Sequence, residues 1–446
     1  MTTKDNLVMG KNCVYAMDEN QVNNNVLVVG GTGSGKTHYV LEPMLLHTEN
    51  SSVVVNINKR ILFDKYAPLF AERGYKVLDL NLAHPEQGNV SFNILRYLKS
   101  DKDIRDFAKN LVEASVGGKG KKNDPFWDMA AANLLAFILR FTQDCYKDPD
   151  FNYVLCIIQE LSKAANILYM MKETDLTRET MSDAEKSTMD FLEKLDGYAE
   201  HAELTLANGY NTYRVNAPIT RQCIIASLTT AVDGVFSRDV LYATTSLLWE
   251  LSIKDLGEEK TVLFITVPPL NRSTHIFANI LFGQIVKDLF EYAEDKCPNG
   301  ELPVPVRLLF DDFACGSVIP GFDKTISIIR QKKISVTLLL QDLSQLSSMY
   351  GDNQAQTIVN NCDNFVYMGG MDEKSVSKVS HLANQPFEDI YYMPVNKIVV
   401  IRRGNQAAVF TSRYDTEQDD VYKKMLRLAE SRKAGLALRR DLKLFG

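Results

Sequence analysis

The sequence has no run of about 18 apolar residues, the length that crosses a bilayer. It has no low-complexity tract and no C-x-x-C pair. Its seven cysteines (13, 145, 156, 223, 297, 315 and 362) are scattered and read as reduced thiols of a cytosolic protein. The six histidines lack metal-ligand spacing. The start, MTTKDNLVMG, is too polar for a secretory signal. An overall positive charge is missing too. The net charge of −6 does not advertise a nucleic-acid binder. That mean hides an asymmetry: residues 421–446 carry eight basic side chains against two acidic ones, a net of +6, so the remainder carries −12. Such a tail can touch phosphate or an acidic membrane surface, or be simply a solvated helix face. With 446 residues the chain exceeds one ordinary core, and two or three domains are expected.

What is present is a phosphate loop. Gly30–Thr37 reads GGTGSGKT, a full match to G-x-x-x-x-G-K-[ST]. Glycines let backbone N–H groups converge on a β-phosphate without side chains in the way. Lys36 then reaches the β and γ oxygens, the Thr37 hydroxyl ligates Mg2+, and the following helix offers its N-terminus to the same anion. The candidate ATP-binding residues are Gly31, Thr32, Gly33, Ser34, Gly35, Lys36, Thr37 and His38. The context fits, because residues 26–29 form a buried-strand run and residues 38–46 can begin a helix that Pro43 bends or ends early.

Far downstream, VRLLFDDF reads as a strand ending in two acids. Asp311 is placed to hold Mg2+ through water, and Asp312 to orient or deprotonate the attacking water. Solvated aspartates at a turn are the bland alternative. A further strand run, residues 336–340, ends at Gln341. In open parallel sheets ligands gather at the carboxyl ends of strands, so Gln341 is a candidate γ-phosphate sensor. Arg330 lies before that strand in the basic run RQKK. It reads either as a solvated charge or as an arginine that serves a neighbouring subunit's site.

Short β-like runs recur at residues 26–29, 53–56, 77–80, 262–267, 306–310, 336–340, 365–368, 397–401 and 407–410. Most are continuously apolar, as for strands buried on both faces. Helical segments alternate with them, which gives an α/β fold with a mostly parallel sheet. The last two runs flank Arg403-Gly404-Asn405 and read as an antiparallel edge hairpin. Between residues 93 and 256 the β signal fades and helical patterns dominate. NDPFWDMAAANLLAFILRF starts one helix, with Asp124 as cap and Pro125 in the first turn. GGKGKK upstream reads as a flexible loop. The expected division is 1–96 and 257–446 for the nucleotide-binding domain, and 97–256 for an inserted all-α domain. Trp127 and its apolar neighbours read as core of that insert, and the acidic stretch 177–204 as a possible docking face.

NVLVVGGTGSGKT, RGYKVLDLNL with SFNIL, DPFWDMAAANLLAF, LLFDDFACGSVIPGFDKTISIIRQKKISVTLLLQDLSQL and NCDNFVYMGG run in order from residue 25 to 370. In these segments the chain resembles the coupling ATPases of type IV secretion and conjugation, the TraG-like family. The resemblance implies a RecA-like P-loop motor domain with an inserted all-α domain, ATP and Mg2+ as ligands, and hexameric rings on DNA, gripped without sequence preference and single-stranded. It implies delivery of relaxase–DNA cargo to membrane-embedded channel components. Arg330 falls where the family's trans-acting arginine sits, and Gln341 where its sensor glutamine sits. Departures are visible. Family members usually begin with transmembrane helices, so the expectation is a truncated or soluble version, monomeric when isolated, and peripheral at the inner face of the cell membrane. The family's D-P-K-G-E is replaced by NINKR (Asn56–Arg60), which puts that loop's part in the nucleotide site in doubt. The usual D-E pair is Asp311-Asp312, whose second carboxylate is one methylene shorter, so slow hydrolysis is expected. A competing reading is a cargo-docking receptor in which nucleotide serves only assembly. A small-molecule kinase fits poorly, because neither an acceptor pocket nor a lid has a sequence signal.

Overall fold

The computed structural model describes residues 5–18, 22–116, 125–174, 176–245, 248–313, 315 and 317–431. The GGKGKK segment, Asp124 and the basic tail beyond residue 431 lie outside them. Nine strands form one sheet: β1 (Val26–Val29), β2 (Ser52–Ile57), β3 (Lys76–Asn81), β4 (Thr261–Thr266), β5 (Val306–Phe310), β6 (Ile334–Leu340), β7 (Asn364–Tyr367), β8 (Lys397–Arg402) and β9 (Val409–Ser412). The spatial order is β9-β8-β7-β1-β6-β5-β2-β4-β3. The seven strands from β7 to β3 run parallel, while β8 and β9 add an antiparallel edge. The expected final strand, 407–410, sits two residues later, because Val400 pairs with Val409 and Lys397 with Ser412.

The apolar continuity of the central strands has its cause here. Leu27 and Val29 of β1 point to one core, Val26 and Val28 to the other. This is the period of two that a strand imposes, applied with both faces covered. On one face lie the helix Arg60–Glu72, the turns after the phosphate loop, and Tyr422 and Met425 of the last described helix. On the other face the core runs without a break into helices.

Between β3 and β4 the described residues form seven helices of eight residues or more: α1 (Asp101–Val116), α2 (Pro125–Cys145), α3 (Phe151–Glu173), α4 (Asp183–His201), α5 (Leu204–Val215), α6 (Pro218–Asp233) and α7 (Arg238–Thr245). α2 is buried around nearly its whole circumference from Leu134 to Leu139, the mark of a central helix. Phe137 stacks on Tyr210 of α5 with ring centres 4.5 Å apart. Trp127 is partly buried against the same core. α3 alone among the described helices has the length and mean hydropathy to cross a membrane. Here its apolar stripe, Phe151 to Ile167, packs against its neighbours. The excursion is closed at its root by two-residue strands, Val90–Ser91 and Trp249–Glu250, paired in parallel. α8 (Arg272–Lys296) follows β4 and lies against the sheet, burying Ile276, Phe277, Leu281 and Phe282. A hairpin, Asn6–Gly10 with Cys13–Ala16, precedes β1.

Candidate functional site

Because β1, β2, β4, β5, β6 and β7 are parallel, their carboxyl ends share one edge of the sheet. β1 delivers the Gly30–Thr37 loop to that edge. Gly33 and Gly35 adopt φ of +78° and +82°, the left-handed region that costs glycine nothing. A Cβ on Gly35 would stand 2.5 Å from the Tyr39 ring. The loop is anchored at both flanks: Gly30 N donates to Leu340 O at 3.1 Å, and Gly31 N to Gly369 O at 2.9 Å. The helix beyond opens as a wide turn, Thr37–Leu41, in which Glu42 N bonds back five residues to Thr37 O. Pro43 supplies no N–H to continue a regular ladder, and it occupies the first turn of the short helix Glu42–Leu46 instead.

β5 ends in the two acids. Thr37 Oγ1 donates to Asp311 Oδ1 at 2.9 Å. Asp311 is buried, and its carboxyl is pushed up to about 6, first by desolvation and then by the neighbouring Asp312 charge. The Thr37 hydroxyl and the Lys36 and Lys59 charges oppose that rise. Lys36 is buried as well and donates from Nζ to Gly30 O at 2.8 Å. Burial lowers its pKa, with Asp312, Asp311 and Asp342 acting the other way. Asp312 itself sits at φ +58°, an unusual conformation for a residue with a side chain, though one that Asp tolerates.

β6 lies between β1 and β5, so Gln341 falls between the phosphate loop and the acids. Its Oε1 accepts from Thr32 Oγ1 at 3.4 Å. Arg330 is exposed in the single turn Ile329–Lys332 that precedes β6. It therefore lies at the amino end of the strand whose carboxyl end carries Gln341, roughly 20 Å away at the rise of a strand. Within one chain the two do not meet. His38 follows Thr37, bonds Glu42 through Nδ1 at 3.3 Å, and accepts at its carbonyl from Thr416 Oγ1 at 3.0 Å.

The donor set suits a polyphosphate carrying a divalent cation. Ser34 Oγ is buried in the loop and has no hydrogen-bond partner among the described residues. The glycine cradle admits no side chain at Gly35 without displacing Tyr39. Thr37 and Asp311 present a hydroxyl and a carboxylate to one point, the hard oxygen ligands that Mg2+ takes.

The model of the family described as type IV secretory system conjugative DNA transfer matches residues 1–383. The chain belongs to that family. Curated proteins include no match. Among solved structures, the conjugative coupling protein TrwBdeltaN70 in its unbound monoclinic form matches with a TM-score of 0.62 at 18% identity, covering 93% of this chain and 90% of that one. TrwB in complex with ADP and Mg2+ matches with a TM-score of 0.57 at 17% identity, over 87% of this chain and 84% of that chain. VirB4 of Thermoanaerobacter pseudethanolicus matches with a TM-score of 0.54 at 10% identity, over 93% and 97%. At these identities the likeness is one of fold: a large, mostly parallel α/β sheet of the RecA-like kind with a helical part.

The loop that departs from the family pattern stands inside the site. Asn56 Oδ1 accepts from Asp311 N at 2.8 Å, and Asn58 Nδ2 donates to Asp312 Oδ2 at 2.7 Å. His275 near the start of α8 is buried, its pKa lowered chiefly by desolvation, with the Asp312 charge acting the other way. The sequence reading names Asn56 and Asn58 only as part of a loop whose place in the site is in doubt, and it misses His275, because none of the three belongs to a phosphate motif. The signal that reaches them is the strand-end rule applied to β2 and β4, the next strands beyond β5.

Proposed function

We propose that this chain is a Mg2+-dependent ATPase that drives DNA transfer in conjugation, coupling relaxase–DNA cargo to a type IV secretion channel. The observation that carries the reading is the meeting of Thr37 and Asp311 at 2.9 Å beside the buried Lys36. The residues of Gly31–His38 would hold the triphosphate through backbone N–H groups, with Lys36 leaving its own loop carbonyl for the β and γ oxygens. A Mg2+ ion held by Thr37 and Asp311 would neutralise charge on those oxygens. Asp312 orients the attacking water, and Gln341 senses the γ-phosphate. Arg330, distant from its own site, serves the site of a neighbouring copy in a ring, a hexamer in this reading. TrwB, whose solved complexes hold ADP with Mg2+ and an ATP analogue, supports the choice of ligand.

We assign the motor to residues 1–96 and 257–446 and cargo recognition to the helical segment 97–256, whose acidic α4 offers a docking face. DNA would be gripped by its backbone, single-stranded and without sequence preference, with strong salt dependence. The isolated chain would be monomeric and slow, working at the cytoplasmic face of the membrane beside channel components.

The test is ATP turnover across a protein concentration series, with and without single-stranded DNA, beside Lys36→Ala and Arg330→Ala. Turnover per chain that rises with concentration and DNA supports the reading. Turnover no faster than Lys36→Ala in every condition hands the case to the docking-receptor alternative. That alternative draws on the short Asp312 carboxylate and its engagement by Asn58.

A further inference from the structure

Asn58 is one residue past the end of β2, which lies directly beside β5. Its amide Nδ2 donates to Asp312 Oδ2 at 2.7 Å. A hydrogen bond from an amide takes one of the roughly four acceptor sites of the carboxylate, lowers its basicity, and fixes the direction in which it points. The other end of the same side chain, Asn58 Oδ1, is buried and has no hydrogen-bond partner among the described residues. Buried polar atoms are rarely left so. The amide is therefore held in place by Asp312 rather than by its surroundings. On its other side Asp312 is likewise in an uncommon backbone state, at φ +58°. A buried amide oxygen left unpaired and an uncommon backbone state meet in one contact, as sites poised between two states do.

The flanks of Asn58 define what can move. Ile57 is fixed in the sheet, its strand paired on both sides. Arg60 is fixed by an ion pair with buried Asp79 at 2.6 Å and by the Phe63 ring at 4.2 Å. Only Asn58 and Lys59 lie between these anchors, and Lys59 is exposed. A phosphate backbone engaging Lys59, whose charge also acts on Asp311, would pull on the neighbouring residue that holds Asp312.

We propose that Asn58 is a positioning residue that restrains Asp312 in a resting orientation, and that DNA engaging the 58–59 loop releases it. This rests on the reading of the site as a DNA-stimulated ATPase. It gives the NINKR departure a role: the loop restrains the base and links it to a polyanion on the surface.

The experiment compares steady-state ATP turnover of the native chain, Asn58→Ala, Asn58→Gln and Lys36→Ala, each with and without a single-stranded oligonucleotide. Asn58→Ala is expected to raise the DNA-free kcat by roughly threefold or more while KM stays within about twofold. The DNA-stimulated rate stays near native, so the stimulation ratio falls toward one. Asn58→Gln keeps the amide donor and keeps much of the restraint. Asn58→Ser, too short to reach Asp312, behaves as Asn58→Ala and stands in for it should the alanine variant misfold. A DNA-free kcat unchanged or lowered in Asn58→Ala, with native turnover above Lys36→Ala, overturns the restraint and leaves the ATPase reading standing. Native turnover equal to Lys36→Ala with and without DNA sinks the reading of the native chain as a DNA-stimulated ATPase instead. In that case turnover appearing in Asn58→Ala still upholds the restraint, and its absence overturns it.

Discussion

Thr37 and Asp311, 274 positions apart in the chain, are joined by a hydrogen bond of 2.9 Å. The hydroxyl is aimed at a carboxylate that is itself buried. Two oxygens drawn together in this way form the natural place for a hard cation. Replacing Asp311 by Asn keeps the shape and removes the charge. Asp311→Asn is expected to lose Mg2+-dependent nucleotide affinity by about tenfold or more, while affinity in EDTA stays near native. Titration of a fluorescent ATP analogue with and without Mg2+ checks this. Equal enhancement by Mg2+ in native chain and variant would remove Asp311 from the cation site.

The two left-handed glycines of the loop separate strain from collision. Gly33 has φ +78° and open space where a Cβ would stand, whereas Gly35 has φ +82° and the Tyr39 ring 2.5 Å away. Gly33→Ala is expected to cost about 1 kcal/mol of backbone strain. Gly35→Ala adds the collision and costs more, with a larger drop in Tm. Tyr39→Ala should return part of the Gly35→Ala loss and none of the Gly33→Ala loss. The Tyr39 ring also carries Arg413 above it at 5.0 Å, so the double variant is read against Tyr39→Ala alone. Equal melting losses for the two glycine variants would show that the ring yields freely.

The sequence discloses the sheet well, for a physical reason. Strands such as β1 and β5 are covered on both faces, so they appear as unbroken apolar runs flanked by turn residues. The convergence of Lys36, Asp311 and Gln341 is also legible, since parallel strands place all their carboxyl ends on one edge. What fails is local and polar. The hairpin Asn6–Gly10 with Cys13–Ala16 is too short and too mixed to announce itself. The strands Val90–Ser91 and Trp249–Glu250 exist only because two distant segments meet. Asn58 resists reading because an asparagine after a strand is ordinarily a turn residue. Only the position of β5 beside β2 turns it into a partner of Asp312.

Arg330 and Gln341 lie at opposite ends of β6, which makes the arginine's contribution testable by mixing. Arg330→Ala should bind nucleotide as the native chain does and hydrolyse it roughly 10³-fold more slowly. Lys36→Ala lacks a working phosphate loop but retains Arg330. If sites are shared between copies, mixing these two inactive variants restores a measurable fraction of turnover at DNA concentrations that assemble rings. Mixtures that stay as inactive as their components, while native chains added to the same reaction turn over normally, would confine the arginine to some role within its own chain.

Asp79 gives the fold a pH dependence of definite sign. It is 1% exposed on β3, and desolvation pushes its carboxyl up to about 6 even though Arg60 beside it acts in the opposite direction. In the unfolded chain the same group titrates near 3.8. Between these values the folded state binds more protons than the unfolded one, so stability falls as pH rises from about 4 to 6. A shift of about two units corresponds to roughly 3 kcal/mol over that window, an upper figure because Arg60 shares the site. Asp79→Asn cannot titrate. Its unfolding free energy, followed by urea denaturation, should therefore decline less steeply than the native chain's between pH 4 and 6, by up to about one proton's slope, with the two running parallel above that window. Identical slopes throughout would mean that Arg60 keeps Asp79 ionised in the folded chain. The anchor at the start of the Arg60–Glu72 helix would then be an ion pair throughout that window, and the 58–59 loop would be hinged on charge there.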